Sequence, residues 1–279
     1  MIRLYKIGGS SYAEQNGHFY HINEAWDHLI NQKHLYQYVL NTIPSSTPVS
    51  QDAWNQLSTS IEAPIGSQEV WASGVTYLRS RDARMEESEH AKSAYDLVYD
   101  ADRPELFFKS LAHRVAGPGT HVFIRKDSTW NVPEPEFTLF INRHGEIAAC
   151  TIGNDMSSRS IEGENTLYLP QAKTYERSAA LGPCLLILDG APNLDTNIDL
   201  KIFRNDKCVF HGQTKLNTMK RTFPELRDYL LRGLKFDQGC FLMTGTGIVP
   251  PSVFTLESED LVRIEIDEIG VLENGVKWL

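Results

Sequence analysis

The stretch WNVPEPEFTLFINRHGEIAACTIGND, residues 130–155, decides how this chain is read. Residues 136–142 (EFTLFIN) and 147–153 (IAACTIG) alternate in polarity and carry β-branched and aromatic side chains, so each reads as a strand. The polar RHGE between them makes the pair a hairpin. A two-residue turn at His144 and Gly145, with the glycine supplying a positive φ, would set Glu134 opposite Asp155. Because side chains alternate, Glu134, Glu136, Thr138, Thr151 and Asp155 then share one face, while Phe137, Leu139, Ile141, Cys150 and Ile152 fill the other as core. Cross-strand Cβ atoms lie about 5 Å apart, so facing carboxylates repel unless a proton or a cation lies between them. One divalent cation on Glu134, Glu136 and Asp155 explains the cluster economically; a solvated acidic face is the alternative. Three oxygen donors without a thiol favour Mg²⁺, Mn²⁺ or Ca²⁺ over zinc, and leave about three of six positions for substrate or water.

Working outward, 279 residues suit one large domain with a smaller attachment, placed here as 1–65 and 66–279. Acids (36) outnumber Lys and Arg (27), and the net charge of −9 argues against nucleic-acid backbone binding. No stretch reads as a cleavable signal or as an apolar run long enough to span a bilayer, so the expectation is a cytoplasmic protein with no membrane partner. Cys150, Cys184, Cys208 and Cys240 form no CxxC, and most read as small core residues. In the first part, MIRLYKI and HFYHI are expected strands around a polar SSYAEQNG turn, with a helix from about Asn23. NTIPSSTPVS then reads as a linker or long loop. The histidines at 18, 21, 28 and 34 have no spacing that ties them to a metal.

Residues 70–89 (VWASGVTYLRSRDARMEESE) begin as a short strand and continue, over about 80–98, with helical composition. Arg79, Arg81 and Arg84 could clamp a carboxylate through paired hydrogen bonds, or form a salt-bridged exposed helix. In RPELFFKS, Glu105 borders an apolar run that would desolvate it and suit it to carrying a proton. Lys173 follows Asp155 in a polar segment; near a cation its ammonium would be disfavoured, making it a base, or it would stabilise negative charge on an enolate. Further on, CLLILDG reads as a buried strand, IDLKIFRNDKCVFHGQ as a hairpin turning at Asn205 and Asp206, TFPELRDYLLRG as an amphipathic helix and CFLMTG as a strand. TGTGIVPP, residues 244–251, could offer N–H groups and hydroxyls to an anion, or be a plain glycine turn, and LVRIEIDEIGVLENGVKW closes the chain as two strands.

The run VPEPEF, GNDMSSRSIEGEN and YLPQAKTYERSAALGP, together with TGTG, resembles the fumarylacetoacetate hydrolase family from about residue 70 to the end. ASGVTYLRSRDARMEES and RPELFFK look most like the family's dehydratases of 2-keto-3-deoxy sugar acids, the 2-keto-3-deoxy-arabinonate type. The resemblance implies an α+β, mostly β fold, a mixed β-roll with a small N-terminal domain, and often a homo-oligomer (dimer or higher). It implies metal ligation by Glu134, Glu136 and Asp155, catalytic roles for Glu105 and Lys173, and a small-molecule 2-keto acid as partner. It further assigns Thr246 to the substrate carboxylate and the segment Arg79, Ser80, Arg81 to the sugar hydroxyls. The family's C–C hydrolases, acting on acylpyruvates or 2,4-diketo acids, are the rival; their marker is a His/Glu dyad, for which Glu89 and His90 are the nearest candidates. A protein whose cation serves only the fold is the third reading, and would close its coordination sphere with protein atoms.

Overall fold

The structure, a computed structural model, describes residues 1–80 and 97–279. The strands in chain order are β1 (Ile2–Ile7), β2 (Ser10–Gln15), β3 (His18–Ile22), β4 (Thr47–Val49), β5 (Glu69–Gly74), β6 (Glu105–Leu111), β7 (Val115–Ala116), β8 (His121–Ile124) and β9 (Asn131–Val132). They continue as β10 (Pro135–Ile141), β11 (Ile147–Asp155), β12 (Ser157–Ser158), β13 (Ala179–Ile187), β14 (Asn197–Arg204), β15 (Lys207–Lys215), β16 (Cys240–Met243), β17 (Leu261–Ile266) and β18 (Gly270–Trp278). Helices α1 (Trp26–Ile30), α2 (Leu35–Thr42), α3 (Gln51–Leu57), α4 (Arg159–Glu164), α5 (Leu169–Lys173) and α6 (Phe223–Leu231) complete the elements used below. One large mixed sheet runs β4-β3-β2-β1-β13-β11-β10-β16-β5-β6, with β7 beside β13, and a five-stranded sheet runs β15-β14-β17-β18-β8.

The hairpin β10/β11 lies inside the large sheet, and both of its faces are covered. Phe137, Leu139, Ile141, Cys150 and Ile152 pack against Ile198, Leu200, Val262 and Ile264 of the second sheet and Leu226 and Leu230 of α6. Phe140 and Ala149 turn the other way, into a core with Trp26, Leu29, Ile30 and Val39 of α1 and α2. The acid-bearing face is thus a second interior rather than a solvated surface, and every residue of β10 is buried.

The register is as expected but its cause is different. Pro135 faces Asn154 and Glu136 faces Gly153, and the Asp155 N–H donates to Glu134 O at 2.9 Å. The connection, however, is one residue longer than a two-residue turn. Asn142 N–H donates to Glu146 O and Gly145 N–H to Asn142 O, with Gly145 at φ +77. The extra residue is absorbed by a bulge, since Ile141 faces Ile147 while Phe140 faces Ala149. The bulge at Ala148 restores the pairing that sets Glu134 beside Asp155.

The N-terminal part departs from expectation in three places. SSYAEQ is a strand, β2, and the turns lie on either side of it at Gly8–Gly9 and Asn16–Gly17, all with positive φ. The presumed linker contributes β4, which pairs with β3 although Pro48 lacks an N–H, as an edge strand permits. The helical stretch is split into α1 and α2 by His34 at φ +51. Further along, the expected hairpin and the amphipathic helix fall where their patterns place them. Asn205 and Asp206 turn β14 into β15 with positive φ, and α6 opens on a capping box of Thr222 and Glu225. The cysteines are free; Cys150, Cys184 and Cys240 are buried and Cys208 is exposed. Among the described residues, no helix is long and apolar enough to cross a membrane.

Candidate metal and active site

Strand directions bring the functional side chains to one end of the large sheet. β10 is antiparallel to both β11 and β16, so its start meets their ends; β5 is parallel to β16, and β6 begins beside the end of β5. Glu134 and Glu136 therefore meet Asp155, the Gly245–Thr246 loop, Gly74 and Glu105. Helix α5, just before β13, delivers Lys173 to the same place. The cavity there is lined by Ser73, Ser80, Glu105, Glu162, Lys173 and Thr246 together with the three carboxylates.

Glu134, Glu136 and Asp155 are buried, and one oxygen from each lies within 4.8 Å of the others. Around them are three buried cations. Lys173 Nζ donates to Glu134 Oε2 at 2.7 Å and to Asp155 Oδ2 at 3.0 Å. Arg159 Nη2 donates to Glu134 Oε1 at 2.7 Å, and Lys109 Nζ stands 2.5 Å from Asp155 Oδ1. Among the described residues the Glu136 carboxylate receives only a backbone N–H, from Gly245 at 2.6 Å, which the glycine can offer at φ +94. Burial, then the neighbouring Asp155 and Glu134 charges, push the Glu136 carboxyl well above the usual carboxylate range, with Lys173 and the Gly245 N–H opposing. A buried carboxylate destabilised by two like charges is what a hard cation would relieve. The residues present fit a divalent ion with oxygen ligands.

Of the substrate-side residues, Ser80, Glu105 and Thr246 are brought to the cavity. Glu105 is half-buried at the start of β6, its carboxylate lying over the Cα of Gly74, and Ser73 Oγ donates to its carbonyl at 3.0 Å. Thr246 Oγ1 is tied into its own loop, donating to Ile248 O and accepting from Ile248 N, both at 3.2 Å. Arg79 is exposed and does not line the cavity, whereas its neighbour Ser80 is buried. Arg81, Arg84, Glu89, His90 and most of the helical stretch expected over 80–98 lie outside the described residues.

Three buried charges were given no role by the sequence. Lys109 sits in the apolar ELFFKSL strand, where a charged residue amid Leu and Phe was the available signal. Arg159 and Glu162 stand three apart on α4, hence on one helical face, and both are buried; Glu162 accepts from Ser157 Oγ at 2.9 Å. Burial pulls the Lys109 ammonium below its ordinary range against the opposing pull of Asp155.

Similarity to known proteins places the chain in a family. A probable 2-keto-3-deoxyxylonate dehydratase of Haloferax volcanii is 43% identical over 214 residues, 76% of this chain and 73% of that protein. The 2-dehydro-3-deoxy-D-arabinonate dehydratase of Saccharolobus solfataricus is 41% identical over 221 residues, 78% of this chain and 74% of that protein. A solved 2-keto-3-deoxy-D-arabinonate dehydratase, in complex with magnesium and 2,5-dioxopentanoate, superposes over 100% of this chain and 99% of its own with a TM-score of 0.86 and 33% identity. The pattern described as the C-terminal region of fumarylacetoacetate (FAA) hydrolase matches residues 70–277, and the chain belongs to that family.

Proposed function

We propose that the protein is a metal-dependent hydro-lyase that removes water from a 2-keto-3-deoxy pentonate to give 2,5-dioxopentanoate. The observation that carries this reading is the full-length likeness to a dehydratase whose structure holds magnesium and that product. The buried triad at the convergent sheet end supports it. A divalent cation on Glu134, Glu136 and Asp155, magnesium in this reading with manganese or calcium as the other oxygen-seeking ions, would supply the positive charge that acidifies C3 of a 2-keto acid. Glu105, at the cavity wall, takes the C3 proton onto its carboxylate. Lys173 spends two N–H bonds on Glu134 and Asp155 and has a third for a substrate oxygen, either the developing negative charge at C2 or the departing C4 hydroxyl. Loss of that hydroxyl leaves an unsaturated keto acid, which tautomerises to the dioxo product. Thr246 is assigned to the substrate carboxylate and the segment Arg79, Ser80, Arg81 to the sugar hydroxyls.

The same reading has the chain as a homo-oligomer of two or more copies, which light scattering decides, and as a cytoplasmic protein, in keeping with its four free thiols. The decisive assay incubates the protein and Mg²⁺ with a panel of 2-keto-3-deoxy pentonates, hexonates and acylpyruvates, followed by mass spectrometry. Loss of water from a pentonate is expected. Scission of an acylpyruvate into two acids, with the pentonates untouched, would replace this function with C–C hydrolysis.

A further inference from the structure

Lys109 takes no part in the proton transfers above, yet it is one of the largest fully buried side chains in the described structure. It also occupies an irregular position. Along the β5/β6 ladder, Trp71 faces Phe108 and Val70 faces Ser110, so Lys109 is the extra residue of a bulge. A bulge bends its strand and re-aims the side chain it carries. The aim here is specific. The ammonium meets Asp155 Oδ1 at 2.5 Å, donates to Met156 O at 2.9 Å, and donates to the main-chain carbonyl of Lys173. Two N–H bonds and one ion pair thus reach three acceptors on two chain segments. Asp155 is gripped from its other side by Lys173 Nζ, and the Lys173 carbonyl also accepts from Ser178 Oγ at 2.9 Å.

We propose that Lys109 is a positioning residue, which locks the carboxylate of Asp155 and the backbone of Lys173 into one unit, so that a metal ligand and the lysine facing the substrate keep their mutual placement. The physical reason is rigidity. Asp155 ends a strand and Lys173 ends a five-residue helix, and no strand ladder joins these two chain ends directly. One compact point charge with three donors bridges them, and burial strengthens each bond. A cation that only neutralised buried acids would not need the two carbonyl contacts. The kinetic part of the claim rests on the dehydratase reading, while the metal-binding part stands without it.

Two variants separate the contributions. Lys109→Gln keeps an N–H donor for the carbonyls and removes the charge from Asp155; Lys109→Met removes both. Metal affinity is read by calorimetry without substrate, kcat and KM on the metal-loaded enzyme, and folding by circular dichroism. Groups that orient a metal ligand are worth about 10–100-fold in affinity or turnover. Lys109→Gln is expected to weaken Mg²⁺ binding and lower kcat within that range while leaving KM unchanged, and Lys109→Met to lose more of each. A folded Lys109→Gln with wild-type metal affinity and kcat would overturn the proposal, as would a rise in KM at constant kcat. Should neither variant fold, wild-type protein labelled with ¹⁵N-lysine decides. Two slowly exchanging ammonium signals that both move on Mg²⁺ titration are expected, and a single moving signal refutes the bridge. If wild type dehydrates no acid of the panel, the functional reading fails and the metal affinities alone judge Lys109.

Discussion

Replacing Gly74 with alanine tests the role of Glu105 without touching any functional group. A Cβ built at Gly74 would lie 1.9 Å from Glu105 Oε2, whereas ordinary contact begins at 3.4 Å. The carboxylate must therefore retreat by about 1.5 Å. Gly74 has no positive φ, so its backbone accepts alanine, and the clash falls on the far end of a side chain rather than on main chain. The fold should tolerate the change. Misplacing a catalytic group by about 1 Å costs roughly 100-fold in rate. At about 1.36 kcal/mol per tenfold, that is a barrier increase of roughly 2.7 kcal/mol. The assay is steady-state dehydration of a 2-keto-3-deoxy pentonate, with Mg²⁺ affinity and thermal melting measured beside it. We expect kcat to fall by about two orders of magnitude, with the metal affinity unchanged because Glu134, Glu136 and Asp155 are unaltered. Adding Glu105→Gln to Gly74→Ala should cost little more than either alone, since both act on one carboxylate. Gly74→Ala with wild-type kcat, or with kcat intact and metal lost, would refute the placement of Glu105 as the proton carrier.

Four other outcomes follow from the same geometry. Lys173→Met leaves Glu134 and Asp155 without a shared cation, so the metal-free protein should lose about 3–5 kcal/mol, with Mg²⁺ restoring part of it; melting curves with and without metal check this. Because the Glu136 carboxyl is held above its usual range, its proton stays on until higher pH, and a ligand must be ionised. Mg²⁺ affinity should fall as pH drops through that raised value, with a proton released on binding; a binding heat independent of buffer, together with a flat affinity, would contradict it. The same raised pKa makes metal-free stability decline as pH rises above the usual carboxylate range. Gly153→Ala puts a Cβ 2.2 Å from Thr138 Oγ1 and 3.1 Å from Met243 Cε in the closed interior, and should cost about 1–3 kcal/mol by overpacking, read from denaturant midpoints.

The hairpin at residues 130–155 was legible because a period of two sorts side chains onto faces whatever lies around them. Glu134, Glu136 and Asp155 therefore group together from pattern alone, Lys173 is legible from its place after Asp155, and the role of Thr246 comes with the resemblance. The sequence by itself determined these local facts: which residues alternate, where Asn205–Asp206 turns, where TFPELRDYLLRG forms an amphipathic helix. The tertiary structure alone decided what each face meets. The hairpin's register depends on a bulge at Ala148 that no local pattern announces, and its acid-bearing face is interior because α1 and α2 cover it. Lys109 and Arg159 read as ordinary charges until three strands and two helices, far apart in sequence, closed around Asp155 and Glu134. The physical reason is range. Alternation and capping act over a few residues, whereas burial, charge pairing and the affinity for a cation are set by neighbours that only the fold brings within hydrogen-bonding distance.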